Sequence, residues 1–260
     1  MLAALLTSLI LCQDPAPPAP APAPAPAPTG QEPKPAAPEE PPQVLENWDD
    51  KRAKAAIDQF TKAMKGTPSM KERNDALEGF AFGSSKLLCK PLAAVVETDK
   101  SVVIRKRAVE LIASQPVADA NATIQKLLET SRVTSNLAVT AELVRSLSRC
   151  GYVTTQWAKI DGLFDRDYSP ERLGLQEEML KLAEKFKERQ ALALLLRNID
   201  EPIPVNVDEG SNPPAEYWEA RWKAWQVWRG KVKDTLFAIT GQRFSTSQEA
   251  KDWLKLNPLK

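Results

Sequence analysis

The chain has 260 residues, 43% of them hydrophobic, and its 35 basic and 34 acidic side chains leave a net charge of +1, so no global field recruits nucleic acid or anionic lipid. It contains no histidine, which removes Ser-His-Asp triads, Cys-His dyads, His-ligated zinc and imidazole proton shuttles together. Its three cysteines, Cys12, Cys89 and Cys150, are too widely spaced for a CxxC metal or redox motif.

Residues 1–13 hold an uncharged apolar run from Leu2 to Cys12. Spanning a bilayer takes roughly 20 residues, so the run is too short for a transmembrane helix and matches a secretory h-region, although no basic residue precedes it. It predicts a signal peptide or lipoprotein-like leader and an extracytoplasmic protein of the periplasm, the envelope or the medium; the bland alternative is an apolar N-terminus on a cytosolic protein. Leu11 stands where a lipoprotein box has a small residue, which disfavours a lipid anchor through Cys12. Residues 14–42 alternate proline with alanine, a composition that builds no core and favours extended polyproline II. At about 3.1 Å per residue the stretch reaches on the order of 80 Å and reads as a disordered spacer.

From residue 43 to 200 the periodicity is helical. Ala53, Ile57, Phe60 and Met64 form an i, i+4, i+7, i+11 stripe that Gly66 and Pro68 close. Ser69 opens the next helix, with Met70, Leu77, Phe80 and Ala81 as its apolar positions, and Ser84 and Ser85 punctuate before LLCKPLAAVV. No segment alternates at period two for long, so no strand is predicted. Residues 97–114 pair an acidic turn with a helix whose inward positions are Ile104, Ala108 and Ile112, with Arg105 after the first. Residues 129–151 repeat this unit with Leu137, Ala141 and Val144 inward and no counterpart to Arg105. A looser third copy takes WAKIDGLFDRD as its first helix, a turn at Tyr168–Pro170, and Leu173–Phe186 as its second.

An acidic, proline-rich loop (201–214) leads to a C-terminal cap (215–260). A long helix is expected from Ala215 to Thr240, stopped by Gly241, followed by Phe244, a capping box at Thr246 and Glu249, and a last helix with Trp253 and Leu254. The spacing in 97–114 resembles the second helix of a HEAT repeat, and ITGQRF followed by a Trp-bearing helix is similar to the ends of secreted bacterial HEAT-like proteins. That resemblance, over roughly residues 50–260, implies an all-α fold: an α-solenoid (armadillo-type) of three helical hairpins, each covering the apolar face of the next. It also implies that Arg105 ties adjacent turns through an acidic neighbour such as Asp99.

The stretch YWEARWKAWQVW raises the question of ligand platforms. Trp218, Trp222 and Trp225 share a narrow arc, Trp228 widens it to about 120°, and Val232, Leu236 and Ile239 continue it, so the face reads as a packing seam opposite Arg221, Lys223, Arg229, Lys231 and Lys233. The alternative is a cell-wall or glycan-binding module in which Tyr217 and Trp218 stack on sugars, Trp218 being the tryptophan expected to be exposed. Asp165, Asp167 and Glu171 around one turn are the carboxylates for a hydrolase, the lowest reading. Asn206, Asp208 and Asn212 alternate like calcium ligands but lack the glycine and distal glutamate of an EF-hand. Arg105, Lys106 and Arg107 are consecutive and point in different directions on a helix, so they make no phosphate track for nucleic acid. Cys89 and Cys150 are expected as buried free thiols. No motif calls for a cofactor or a metal. The expected function is non-catalytic: a scaffold whose successive second helices present Lys106, Glu110, Glu142 and Arg145 to a protein partner.

Overall fold

Local signals start and stop the helices where the chain has capping chemistry. Asp49 caps α1 (Asp50–Ala63) by accepting from the Arg52 amide at 2.7 Å, and Ser69 and Glu72 form a reciprocal capping box at α2 (Met70–Glu78). Phe60 and Leu77 are buried and the Phe60 ring lies 5.0 Å from Phe80, whereas Met70, expected inside, is exposed. The computed structural model describes residues 45–165, 169–204 and 210–258. The leader with Cys12, the Pro-Ala run, Asp167, Tyr168, Asn206 and Asp208 lie outside the described residues.

The chain is mostly helical. After α2 come α3 (Cys89–Thr98), α4 (Val102–Ala113), α5 (Val117–Leu128), α6 (Ser131–Thr134), α7 (Leu137–Leu147), α8 (Trp157–Ile160), α9 (Leu173–Phe186), α10 (Leu192–Asn198), α11 (Ala215–Thr240) and α12 (Ser247–Leu256). One feature departs from the helical expectation: β1 (Glu46–Asn47) pairs in parallel with β2 (Gly83–Ser84). Two residues are too few to write a period into a sequence. The pairing depends on Gly83, because a Cβ there would sit 2.3 Å from the Trp48 ring.

Helices α2, α4, α7, α9 and α11 form a row in which each packs on the next, while α3 and α5 back α4 and α7. Ile104, Ala108 and Ile112 are fully buried, as their spacing predicts. On α7 the fully buried residues are Val139, Thr140, Leu143, Val144, Ser146 and Leu147, and the expected Leu137 and Ala141 are only half-buried. The arc is wider than a stripe because α4, α5 and α9 all press on α7. In the third layer α9 has its expected bounds, but the first helix is broken into 3-10 turns on either side of α8, with Trp157, Ile160, Leu163 and Phe164 buried.

The turns after the row helices lie side by side along one edge. The buried Gln115 side chain beyond α4 bonds the Ser85 amide at 3.0 Å, Cys150 Sγ beyond α7 lies 3.5 Å from the Ala113 carbonyl, and Lys185 at the end of α9 donates to the Ser148 carbonyl at 2.6 Å. Helix α11 ends at Gly241, whose φ of 74° permits the left-handed cap. At α12 the Thr246 hydroxyl accepts from the Glu249 amide, while the Glu249 carboxylate reaches the Ser245 amide instead of closing the expected box on Thr246. Among the described residues no helix is long and apolar enough to cross a membrane.

Candidate functional site

Down one face of the row, each helix is tied to the next by an ion pair. Arg107 on α4 holds Glu78 of α2 with two 2.7 Å bonds and Glu110 of its own helix at 3.1 Å. Lys106 lies 3.9 Å from Glu142 on α7, and Arg145 bridges Glu142 at 2.9 Å to Glu178 on α9 at 3.1 Å. Lys181 holds Glu178 and Glu177 at 3.1 and 3.0 Å, and Glu177 also pairs with Lys231 on α11. A shallow groove of about 340 Å³ runs along these charges, lined by Lys106, Ala138, Glu142, Arg145, Glu171 and Lys181 among others.

Burial gives the two central carboxylates different characters. Desolvation raises Glu142 above the usual carboxylate range despite Arg145 and Lys106. Burial also pushes Glu178 upward, but the hydrogen bonds from Arg145 and Lys181 outweigh it and leave it below that range. The Lys231 and Lys181 bonds lower Glu177. The ladder therefore presents fixed, alternating, largely neutralised charge.

Three of the four residues assigned to a partner surface, Lys106, Glu142 and Arg145, meet here directly, and Glu110 stands one rung away on Arg107. Glu78, Glu177, Glu178, Lys181 and Lys231 were not anticipated. The i, i+4 pair Glu177 and Lys181 is the one local signal that could have pointed to them. The basic triplet splits three ways, as its spacing requires: Lys106 and Arg107 take the rungs just described and Arg105 turns back to the Val96 carbonyl at 2.6 Å. Arg105 thus ties α4 to the end of α3 through a carbonyl and makes no direct ion pair with Asp99 among the described residues; Asp99 pairs with Arg73 at 2.9 Å and caps the Ser101 amide. Arg73 reaches Asp99 from α2, a partner no reading of residues 97–114 alone could supply.

The tryptophan face divides along its length. Trp225 and Trp228 are buried, Trp228 at 4.7 Å from the Phe164 ring, and Val232 and Leu236 continue the seam. Tyr217 and Trp218 are half-buried, edge to face at 5.2 Å, with the Trp218 indole donating to the Pro213 carbonyl and Arg221 over its ring. Trp222, not Trp218, is the open one at 39% exposure, its indole bonded to Glu201 at 2.6 Å.

Asp165 is bound to Arg197 at 2.6 Å beside α10, while Glu171 lines the ladder groove. Cys89 and Cys150 are buried and free; burial pushes Cys89 upward and Cys150 to about 11. Asn121 is structural, donating to the Cys150 and Gly151 carbonyls. Among the described residues no three Cys, Asp or Glu side chains gather as a metal set. The chain matches no protein-family profile, no curated protein and no solved structure.

Proposed function

We propose that this chain is a non-catalytic, extracytoplasmic helical-repeat scaffold, an α-solenoid of HEAT-like hairpins whose ladder face receives a protein partner. One observation carries the reading: four successive row helices hold their ionised side chains in fixed alternation beside a shallow groove. Charges held in place lose little side-chain freedom on binding, and alternation of sign sets the register of a partner. The apolar run from Leu2 to Cys12 and the Pro-Ala stretch support export and display at a distance.

A photo-crosslinking residue at Ala138, an exposed position in the groove, tests this against one at Ala158 on α8. A discrete adduct from envelope fractions at position 138, absent at 158 and lost with Arg145→Glu, is the expected result. The same adducts at both positions, or none, would overturn it. The exposed Trp222 beside Tyr217 and Trp218 favours glycan binding as the second reading; Trp222→Ala should then release the chain from cell-wall material, and unchanged retention removes that reading.

A further inference from the structure

The edge formed by the turns after the row helices differs in kind from the ladder face. At four of these turns one large apolar side chain is exposed: Phe82 after α2, Val117 at the first position of α5, Val153 after α7 and Phe186 at the end of α9, between 36% and 64% exposed. Their neighbourhood is fixed by contacts between successive turns. A Cβ on Gly151 would meet the Val117 side chain at 3.1 Å, and the Phe186 ring lies 4.9 Å from Tyr152. Packed helices are about 8–10 Å apart, so four successive turns span roughly 30 Å. The four side chains stand exposed at the turns and the helix ends beside them, and none of the four lines the ladder groove.

Cations accompany these tips. Lys86, Arg149, Lys187 and Arg189 are exposed and make no ion pair among the described residues, in contrast to the cations of the ladder. Lys187 closes α9 in the left-handed conformation, with φ and ψ both 49°, and this sharp turn sets Phe186, Lys187 and Arg189 together at one tip. The acid in that turn does not offset them, because Glu188 is buried against Tyr152. The nearby anions include Asp119, half-buried in the first turn of α5, and Glu97, both lining one groove with Lys86, Glu184, exposed one turn back on α9, and Glu46, whose amide bonds the Phe82 carbonyl and whose carboxylate is paired with Arg52.

Isolated apolar tips along one edge, interspersed with unpaired cations, suit a surface that is apolar just below an anionic layer. A peptide would need a groove to bury its side chains, and these residues offer projections. We propose that this edge docks on an anionic lipid bilayer, with Phe82, Val117, Val153 and Phe186 entering the interfacial layer and Lys86, Arg149, Lys187 and Arg189 pairing with headgroup phosphates.

Co-sedimentation of the full chain with phosphatidylcholine vesicles and with vesicles enriched in phosphatidylglycerol tests the proposal. Residues 1–44 are common to every variant, so differences between variants read the edge alone. The wild type should bind the anionic vesicles more tightly, and Arg149→Gln/Lys187→Gln/Arg189→Gln should weaken that binding about tenfold or more at low salt. Phe82→Ser and, separately, Val153→Asp at a position with an open side chain should each weaken it several-fold. Val103→Ser/Val227→Ser, which removes exposed apolar groups elsewhere, should change nothing. Equal affinity for the two vesicle types, or edge variants that bind like the wild type with unchanged thermal midpoints, would overturn the proposal. So would equally tight binding to polyglutamate that ignores Phe82→Ser and Val153→Asp, since that pattern marks an acidic polypeptide partner.

Discussion

The phenol of Tyr152 donates a 2.6 Å hydrogen bond to the carboxylate of Glu188, and both residues are closed off from solvent. The other carboxylate oxygen accepts from the Gln190 amide at 2.9 Å. Tyr152→Phe leaves a buried carboxylate oxygen without its donor and should cost about 2 kcal/mol in urea denaturation, with the ring stack on Phe186 retained. Burial and the Glu188 bond raise the phenol above its ordinary 10.0, so the folded state holds a proton that the unfolded chain has released. Stability should therefore fall as pH rises past 10.0, and the variant should flatten that slope.

Glu142 and Glu178 share Arg145 yet should respond to neutralisation in opposite ways. Glu142 is raised by desolvation, so its ionised form costs stability at neutral pH and acidification toward 4.5 relieves that cost. Glu178 is lowered, and the stability it contributes is lost as pH falls below 4.5. At neutral pH Glu142→Gln should be neutral or slightly stabilising, and Glu178→Gln should cost about 1.5 kcal/mol. Denaturant midpoints in the reverse order would defeat this account of the ladder.

Two glycines make a matched pair of substitutions. Gly83→Ala drives a methyl into the Trp48 ring and should destabilise by about 2 kcal/mol, while Gly230→Ala, inside α11 with open space around it, should stabilise by about 0.5–1 kcal/mol. Thermal midpoints on one instrument decide both signs.

Acrylamide should quench tryptophan emission in two phases. Trp48, Trp157, Trp225 and Trp228 are buried and should contribute a protected, blue-shifted component. Trp222→Phe should remove more of the accessible component than Trp225→Phe; the reverse would place the open aromatic surface elsewhere on α11.

Legibility in the sequence followed the range of each interaction. The bounds of α9 and α11 were readable because apolar spacing and the Gly241 stop act within a few residues. The ladder was half readable: placing successive helices side by side brings Lys106, Glu142 and Arg145 onto one face, but residues 157–186 match the earlier units too loosely to add Glu178, and Lys231 lies beyond them on α11. Within residues 97–114 only Arg105 is in reach of Asp99, and the pairing with Arg73 comes from the packing of α2 on α4. A helical wheel treats Trp222 and Trp225 as equals, although the seam covers one and the loop residue Glu201 merely touches the other. Helix α10 carries no polar stripe to mark its period, and the β1–β2 pair rests on Trp48 meeting Gly83 across the fold.

The rungs between neighbouring helices also constrain how the chain can change length. Adding one residue inside α7 would swing everything beyond it by about 100°. Arg145 would then leave Glu178 while Glu142 kept or lost Lys106, depending on which side of the insertion it lay. Insertions and deletions compatible with this architecture belong in the turns, and the row helices can vary in composition only so long as their residue count is kept.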